Sequence, residues 1–340
     1  MLCGMERWRG SAPRAVCLLL ATAIGWAVPA DPSWKESAGQ ARKLQQSGKY
    51  AEAEALLLRK LQDARASHSE DSGVPILLNN LASVCQDLGR TVEAEGYYRQ
   101  AIAWLERANA GAALITPLHN LASLYSESGR FALAARLEKR ALEMSGGSSS
   151  QTETDRAALV HGLAFALDGQ GRFSEAEPLY QQAIAAWTDA KGHERDLADA
   201  LTNLGYSCTK RKRPEEGVTH LLQAIRILES GLGPNHPALV KPLNNLAFAY
   251  LAARQPGSAE PLIERALAIA AVIYGPQHEI YGVTLGNYAS VLRQLGRKEE
   301  AKDARERASA IAARSKRPPG QTIDVSEVAG YKVSKMNPAR

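Results

Sequence analysis

A Leu-Ala or Leu-Gly pair returns about every 42 residues through most of this 340-residue chain, at Leu81-Ala82, Leu121-Ala122, Leu163-Ala164, Leu204-Gly205 and Leu246-Ala247, with Tyr288-Ala289 in the last slot. The small residues are separated by steps of 40, 42, 41, 42 and 42. A period of this size marks a solenoid, in which each unit buries its apolar face only by stacking on the next. The recurrence therefore restricts the chain to a one-dimensional array. It also restricts function to what a repeated surface can present.

Numbering each repeat so that the leucine of the pair is position 7, position 4 holds Leu78, Leu118, Val160, Leu201, Leu243 and Leu285, and position 11 holds Cys85, Tyr125, Leu167, Cys208, Tyr250 and Leu292. Positions 4, 7, 8 and 11 fall on one stripe of a helix, here helix A. The small residue at position 8 marks the closest approach of the two helices of a repeat, where anything larger than a methyl group would hold them apart. A glycine follows at Gly48, Gly89, Gly129, Gly171 and Gly296, as expected where a helix stops in a left-handed residue. Repeats five and six carry Lys212 and Arg254 there, but Pro214 and Pro256 follow at the first turn of the next helix. A second stripe, such as Ala94, Tyr98 and Ala101 or Ala176, Tyr180 and Ala183, defines helix B.

A small residue at position 8 with alanine at 20 and 27 resembles the tetratricopeptide repeat (TPR). The long period, the Asn-Leu-Ala triplets, Gly171-Arg172-Phe173-Ser174-Glu175-Ala176-Glu177-Pro178-Leu179-Tyr180 and Gly233-Pro234-Asn235-His236-Pro237 are similar to the kinesin-light-chain type. The resemblance implies an all-α, right-handed superhelical solenoid of about seven helix-turn-helix repeats, near 34–70, 74–109, 113–145, 153–191, 194–232, 236–274 and 278–314. Gln40 and Lys60 in the first repeat and Arg305 at position 24 of the last depart from the core pattern, as polar caps of a stack would. Pro178 and Pro261 inside helix B are expected to kink it locally.

Residues 1–30 read as a secretory signal peptide: Arg7, Arg9 and Arg14 precede an apolar run from Ala15 to Val28 and the small-residue exit Val28-Pro29-Ala30. Export to a periplasmic, cell-surface or secreted location is the expectation, with an uncleaved membrane anchor as the alternative. After cleavage no membrane span is expected, because the apolar run is short of the ~20 residues that a span needs. Cleavage removes three arginines and one glutamate, which leaves 38 basic and 35 acidic residues. The whole of that +3 lies in the tail after residue 315, so the helical body is neutral, which argues against nucleic acid as a partner. Cys85 and Cys208 sit in helix cores three repeats apart, too far for a disulfide.

No catalytic constellation, cofactor motif or metal-ligand spacing stands out among the seven histidines and four cysteines, so the chain is expected to be neither an enzyme nor a cofactor protein. His236 and His278 lie in Gly-Pro-X-His turns, where they are expected to satisfy backbone groups at the start of helix A. Gly146 to Ser150 reads as a flexible linker and residues 315–340 as a flexible tail, with docking of the tail in the chain's own groove as the other expectation.

Function falls to the inner face of helix A, which the resemblance places on the concave side. Position 6 holds Asn80, Asn120, Asn203, Asn245 and Asn287, broken only by Gly162. Each amide offers both a donor and an acceptor, so the column could satisfy an extended peptide backbone or, alternatively, bond a neighbouring repeat. Position 9 adds Phe165, Tyr206 and Phe248, as ligand contacts or as packing between successive helices A. Asp87, Glu127 and Asp168 toward one end and Lys210, Lys241 and Arg293 toward the other imply a dipolar groove. The expected function is a protein-interaction module that takes an extended peptide or protein partner in this groove. The alternatives are a structural scaffold of an envelope complex or an accessory subunit of an exported enzyme.

Overall fold

The computed structural model describes residues 33–66, 73–146 and 152–315. The expected signal segment, most of the linker after Gly146 and the tail after 315 lie outside the described residues. Fourteen α-helices run in pairs, and no strand occurs among the described residues. The pairs are α1 (Ser33–Gln46) with α2 (Tyr50–Ala66), α3 (Gly73–Asp87) with α4 (Thr91–Arg107), α5 (Ile115–Glu127) with α6 (Phe131–Ser145), and α7 (Glu153–Gly169) with α8 (Phe173–Thr188). They continue as α9 (Glu194–Lys210) with α10 (Pro214–Leu232), α11 (Val240–Ala252) with α12 (Pro256–Ile273), and α13 (Glu279–Gln294) with α14 (Lys298–Ser315). No described helix is long and apolar enough to cross a membrane.

Each turn is set by one residue in the left-handed region. Gly89 has φ of +74° and Gly171 +80°, and the following backbone N–H closes onto helix A, as in Arg90 N to Cys85 O at 2.8 Å. Lys212 and Arg254 adopt φ of +62° and +60° and make the same closure, Arg213 N to Cys208 O at 3.0 Å and Gln255 N to Tyr250 O at 2.8 Å. A side chain there costs ~1 kcal/mol. The prolines that begin α10 and α12 fix the next φ and offset part of that cost. Pro178 and Pro261 lie inside α8 and α12, which run through them as continuous helices.

Position 8 is closed in every repeat: Ala82, Ala122, Ala164 and Ala247 are fully buried. In the fifth repeat even alanine is too large, because a Cβ on Gly205 would meet Leu221 at 2.7 Å and the Gly217 carbonyl at 2.9 Å. Gly217 is the reciprocal contact, its absent Cβ lying 2.3 Å from the Thr209 hydroxyl. Every helix packs on its sequence neighbours. The odd-numbered helices also pack on one another, α5 on α7, α7 on α9, α9 on α11 and α11 on α13, whereas no pair of even-numbered helices packs as closely. A stack tighter on one side must curve toward it, so helices A line the concave face and helices B the convex one.

The end repeats are the polar caps that the sequence implies, with Gln40 and Arg305 exposed. His236 and His278 cap the starts of their repeats: each Nδ1 accepts a backbone N–H, from Ala238 and Ile280, at 3.2 Å.

Candidate functional site

The concave wall is built by the inner residues of α3, α5, α7, α9, α11 and α13. Its asparagine column is mostly turned between the repeats rather than toward the groove. Asn120 Nδ2 donates to Asn79 Oδ1 at 3.0 Å, Asn203 Nδ2 to His161 Nε2 at 3.0 Å, and Asn287 Nδ2 to Asn244 Oδ1 at 2.7 Å. In each case position 6 of one repeat reaches back to position 5 of the repeat before it. Asn120, Asn203 and Asn287 are 3–5% exposed, so the peptide-facing role expected of them gives way to joining repeats. Asn80 extends the same logic. Position 5 of the first repeat is Ala38, which offers no side-chain acceptor, and the buried Asn80 Nδ2 has no partner among the described residues. Asn245 is also buried, at 7% exposed, but its amide makes no hydrogen bond among the described residues.

Gly162, the gap in the column, is where a carboxylate enters instead. Glu138 of α6 lies beneath Gly162 and holds His119 Nδ1 at 2.9 and 3.1 Å, both side chains being buried. A Cβ on residue 162 would stand 2.2 Å from Glu138 Oε1, so any larger residue there would push the carboxylate off its place against His119. Burial raises the Glu138 carboxyl above its ordinary range against the opposing pull of His119. Burial alone would lower His119, but the Glu138 carboxylate outweighs it and the imidazole is held above its ordinary value. One repeat on, burial and then the Lys241 charge push His161 down to about 3, so its Nε2 is a lone-pair acceptor for Asn203 at neutral pH.

Position 9 resolves into two different contacts. Tyr206 and Phe248 form a pair across α9 and α11, with ring centroids 5.7 Å apart and planes tilted by 36°, and both rings remain half-buried at the groove. Phe165 turns instead to Phe131 of α6 in an edge-on contact at 6.2 Å, beside Gly169, whose missing side chain leaves room for the Phe131 ring. The aromatic patch expected on three successive repeats is therefore a pair at the surface and one ring packed sideways.

The acidic residues of the early repeats are each held by a neighbouring repeat. Gln45 donates to Asp87 at 2.6 Å, Gln86 to Glu127 at 2.8 Å, and Ser207 to Asp168 at 3.2 Å. On the late repeats Lys210 and Arg293 are exposed, and Lys241 is half-buried near the start of α11, two turns before Phe248. Asp87, Glu127 and Asp168 thus belong to the early repeats and Lys210, Lys241 and Arg293 to the late ones, which also carry the aromatic pair and the unbonded Asn245 amide.

Tetratricopeptide repeat models match residues 39–107, 73–145, 196–271 and 242–314, and a second such model matches 156–190. The chain belongs to the tetratricopeptide repeat family. No curated protein matches the sequence. Among solved structures, BtubC (BKLC) of P. vanneervenii is similar at 22% identity and TM-score 0.54, over 73% of this chain and 98% of that one. Kinesin-light-chain TPR-like repeats of Podosopora anserina are similar at 24% identity and TM-score 0.50, over 61% of this chain and 98% of theirs. NprR in complex with its cognate peptide NprX is similar at 16% identity and TM-score 0.60, over 84% of this chain and 79% of that one. At these identities the likeness is one of fold, the TPR superhelix.

Within this TPR frame the arginines after four of the turns, Arg90, Arg130, Arg213 and Arg297, are clasps between repeats, whereas Arg172 pairs only with Glu175 of its own helix. Arg90 holds Glu54 of the preceding helix B at 2.5 Å and Glu93 of its own at 2.8 Å, and Arg297 bridges Glu260 and Glu300 in the same way. Glu177, Cys208 and Glu216 converge closely enough to suggest metal ligands. Arg213 fills that space, bonding Glu177 at 2.8 Å and Glu216 at 3.0 Å and lying 3.6 Å from Cys208 Sγ, so the cluster is one more clasp. Cys85 and Cys208, the two cysteines among the described residues, are buried free thiols, and burial pushes Cys208 up to about 11, far from a reactive thiolate.

Sequence reasoning passed over Glu138, although its signal was there: it occupies position 24, which elsewhere is Tyr98, Tyr180, Leu221 or Ile263. A carboxylate in that column, one repeat before the glycine that interrupts the asparagines of position 6, marks the exchange.

Proposed function

We propose that this TPR protein is a non-enzymatic interaction module that binds an extended peptide or a protein segment in its concave groove, centred on the fifth and sixth repeats. The observation that carries this reading is the Tyr206 and Phe248 pair, half-buried at the groove, with the Asn245 amide one helical turn away and Lys210 and Lys241 on the same stretch. Aromatic rings supply apolar contact area at low entropic cost, and an uncommitted amide can meet a peptide bond with both donor and acceptor. The opposed charges of the two halves would orient the segment with its basic end toward the early repeats, an effect on direction and rate more than on affinity. The resemblance in fold to NprR, which was solved with a peptide, supports this use of the groove.

The test is capture of partners from an envelope extract by the full chain beside a Tyr206→Ala, Phe248→Ala, Asn245→Ala variant of equal helicity. Capture of the groove ligand should weaken by about 30-fold or more, since buried aromatic anchors contribute ~2 kcal/mol or more each. Equal recovery by both proteins would move the binding surface out of the groove.

A further inference from the structure

Lys212 and Arg254 stand at the turn position where the other five repeats carry Gly48, Gly89, Gly129, Gly171 and Gly296. With Asn109, a residue type that tolerates the left-handed region, they are the non-glycine residues of positive φ among the described residues. Glycine closes the other five turns with the same backbone bond, so neither the turn nor the negative end of the helix requires a cation there. Strain that the local structure does not require points to a use for the side chain.

That use is not internal. Both side chains are exposed, and neither has a carboxylate or other polar partner among the described residues. The acids around Lys212 are engaged elsewhere: Arg211 and Arg213, on either side of it, both hold Glu177, and Arg213 also holds Glu216. Helix α12 has no acidic residue in its first turn to balance Arg254. Lys210 and Arg293, exposed at the ends of α9 and α13 and equally unpaired, lie on the same edge, and Glu215 and Glu299 are its uncommitted carboxylates.

The turns at Lys212 and Arg254 share one φ and one closing bond, so both side chains leave the fold in the same direction, one repeat apart. Helices α9, α11 and α13 pack directly on one another, which sets neighbouring turns ~10 Å apart. Three residues of extended chain span the same ~10 Å.

We propose that the turn edge of repeats five to seven is a second interaction surface, separate from the concave groove, for an extended acidic segment of a partner protein. Lys212 and Arg254 each meet one of two carboxylates about three residues apart in that segment. A polynucleotide fits less well, because the cations are spread over three repeats and the helical body as a whole is neutral.

Fluorescence anisotropy of the full chain at low salt tests the proposal with a labelled peptide of repeated Glu-Ser-Ser units, beside a Gln-Ser-Ser counterpart and an oligothymidylate of equal length. Saturable binding of the Glu peptide is expected, with both other probes much weaker. Lys212→Gly together with Arg254→Gly should weaken it about tenfold, the scale of two exposed ion pairs. The same variant should melt no lower than the parent, because glycine relieves both left-handed turns. Lys212→Arg with Arg254→Lys keeps the charges and should keep the binding. Tyr206→Ala in the groove should leave the peptide equally bound, which separates this edge from the groove. Absence of saturable binding, equal binding of the Gln peptide, tighter binding of the oligothymidylate, or loss of binding in Tyr206→Ala would each overturn the proposal. So would a double glycine variant that binds as the parent does or melts well below it.

Discussion

Between the sixth and seventh repeats, Asn287 of α13 donates to Asn244 of α11, a neutral bond between two amides at 2.7 Å. Between the third and fourth, the residue at the place of Asn287 is Gly162, and the partner at the place of Asn244 is His119, which is held by Glu138 from a different helix. The same joint is thus made once by dipoles and once by a buried carboxylate and imidazole. A neutral amide pair keeps its bond at any physiological pH. A buried ionisable pair depends on its proton, because an uncompensated buried charge costs several kcal/mol. Asp196 adds a further, smaller negative influence on His119.

The largest effect should come from forcing the amide into the ionic joint. Gly162→Asn would place its Cβ 2.2 Å from Glu138 Oε1, and local stability of α5 to α7, read by hydrogen exchange, should fall by about 3 kcal/mol or more. Retained protection in that variant would show that Glu138 is not anchored as described.

The pH response should come next, and it has opposite signs at adjacent joints. Glu138 and His119 both bind protons more tightly folded than unfolded, so the third joint is strongest on the acid side and weakens as pH rises through the folded value of His119, above 6.5. The slope should approach about 1.4 kcal/mol per pH unit for one proton, and Glu138→Gln should flatten it. His161 behaves in reverse: its folded value of about 3 lies below 6.5, so the joint to the fifth repeat loses stability as pH falls from 6.5 toward 3. Hydrogen exchange at pH 5 and pH 8, resolved by helix, distinguishes the two. Parallel behaviour of α5 and α9 would contradict the assignment.

A double exchange sharpens the comparison further. Glu138→Leu with Gly162→Asn installs at this joint the pattern that Asn203 and His161 already use. Stability at pH 7 should return to within about 1 kcal/mol of the parent, as volume-conserving changes allow, while the pH dependence of the joint changes sign. The smallest effect is expected at the neutral joint. Asn287→Ala should cost about 1 kcal/mol by leaving Asn244 without its donor, equally at pH 5 and pH 8, as urea unfolding of the last repeats would report.

Much of this was legible because the repeat is. The period placed the closest helix contacts at Ala82 to Ala289, and the prolines after Lys212 and Arg254 disclosed turns that the missing glycines hid. The asparagine column was visible too, but its direction was not. Whether an amide faces a ligand or the preceding repeat depends on what that repeat offers at position 5, and the choice among Ala38, Asn79, His161 and Asn244 acts across about 42 residues of chain.

The groove itself is tested most directly by a photo-reactive phenylalanine analogue placed at Phe248 and, in a second protein, at the exposed Val92 on the convex side. Irradiation in the native extract should join a partner segment to position 248 and not to position 92. A partner joined at 92 alone would contradict the assignment of binding to the concave face.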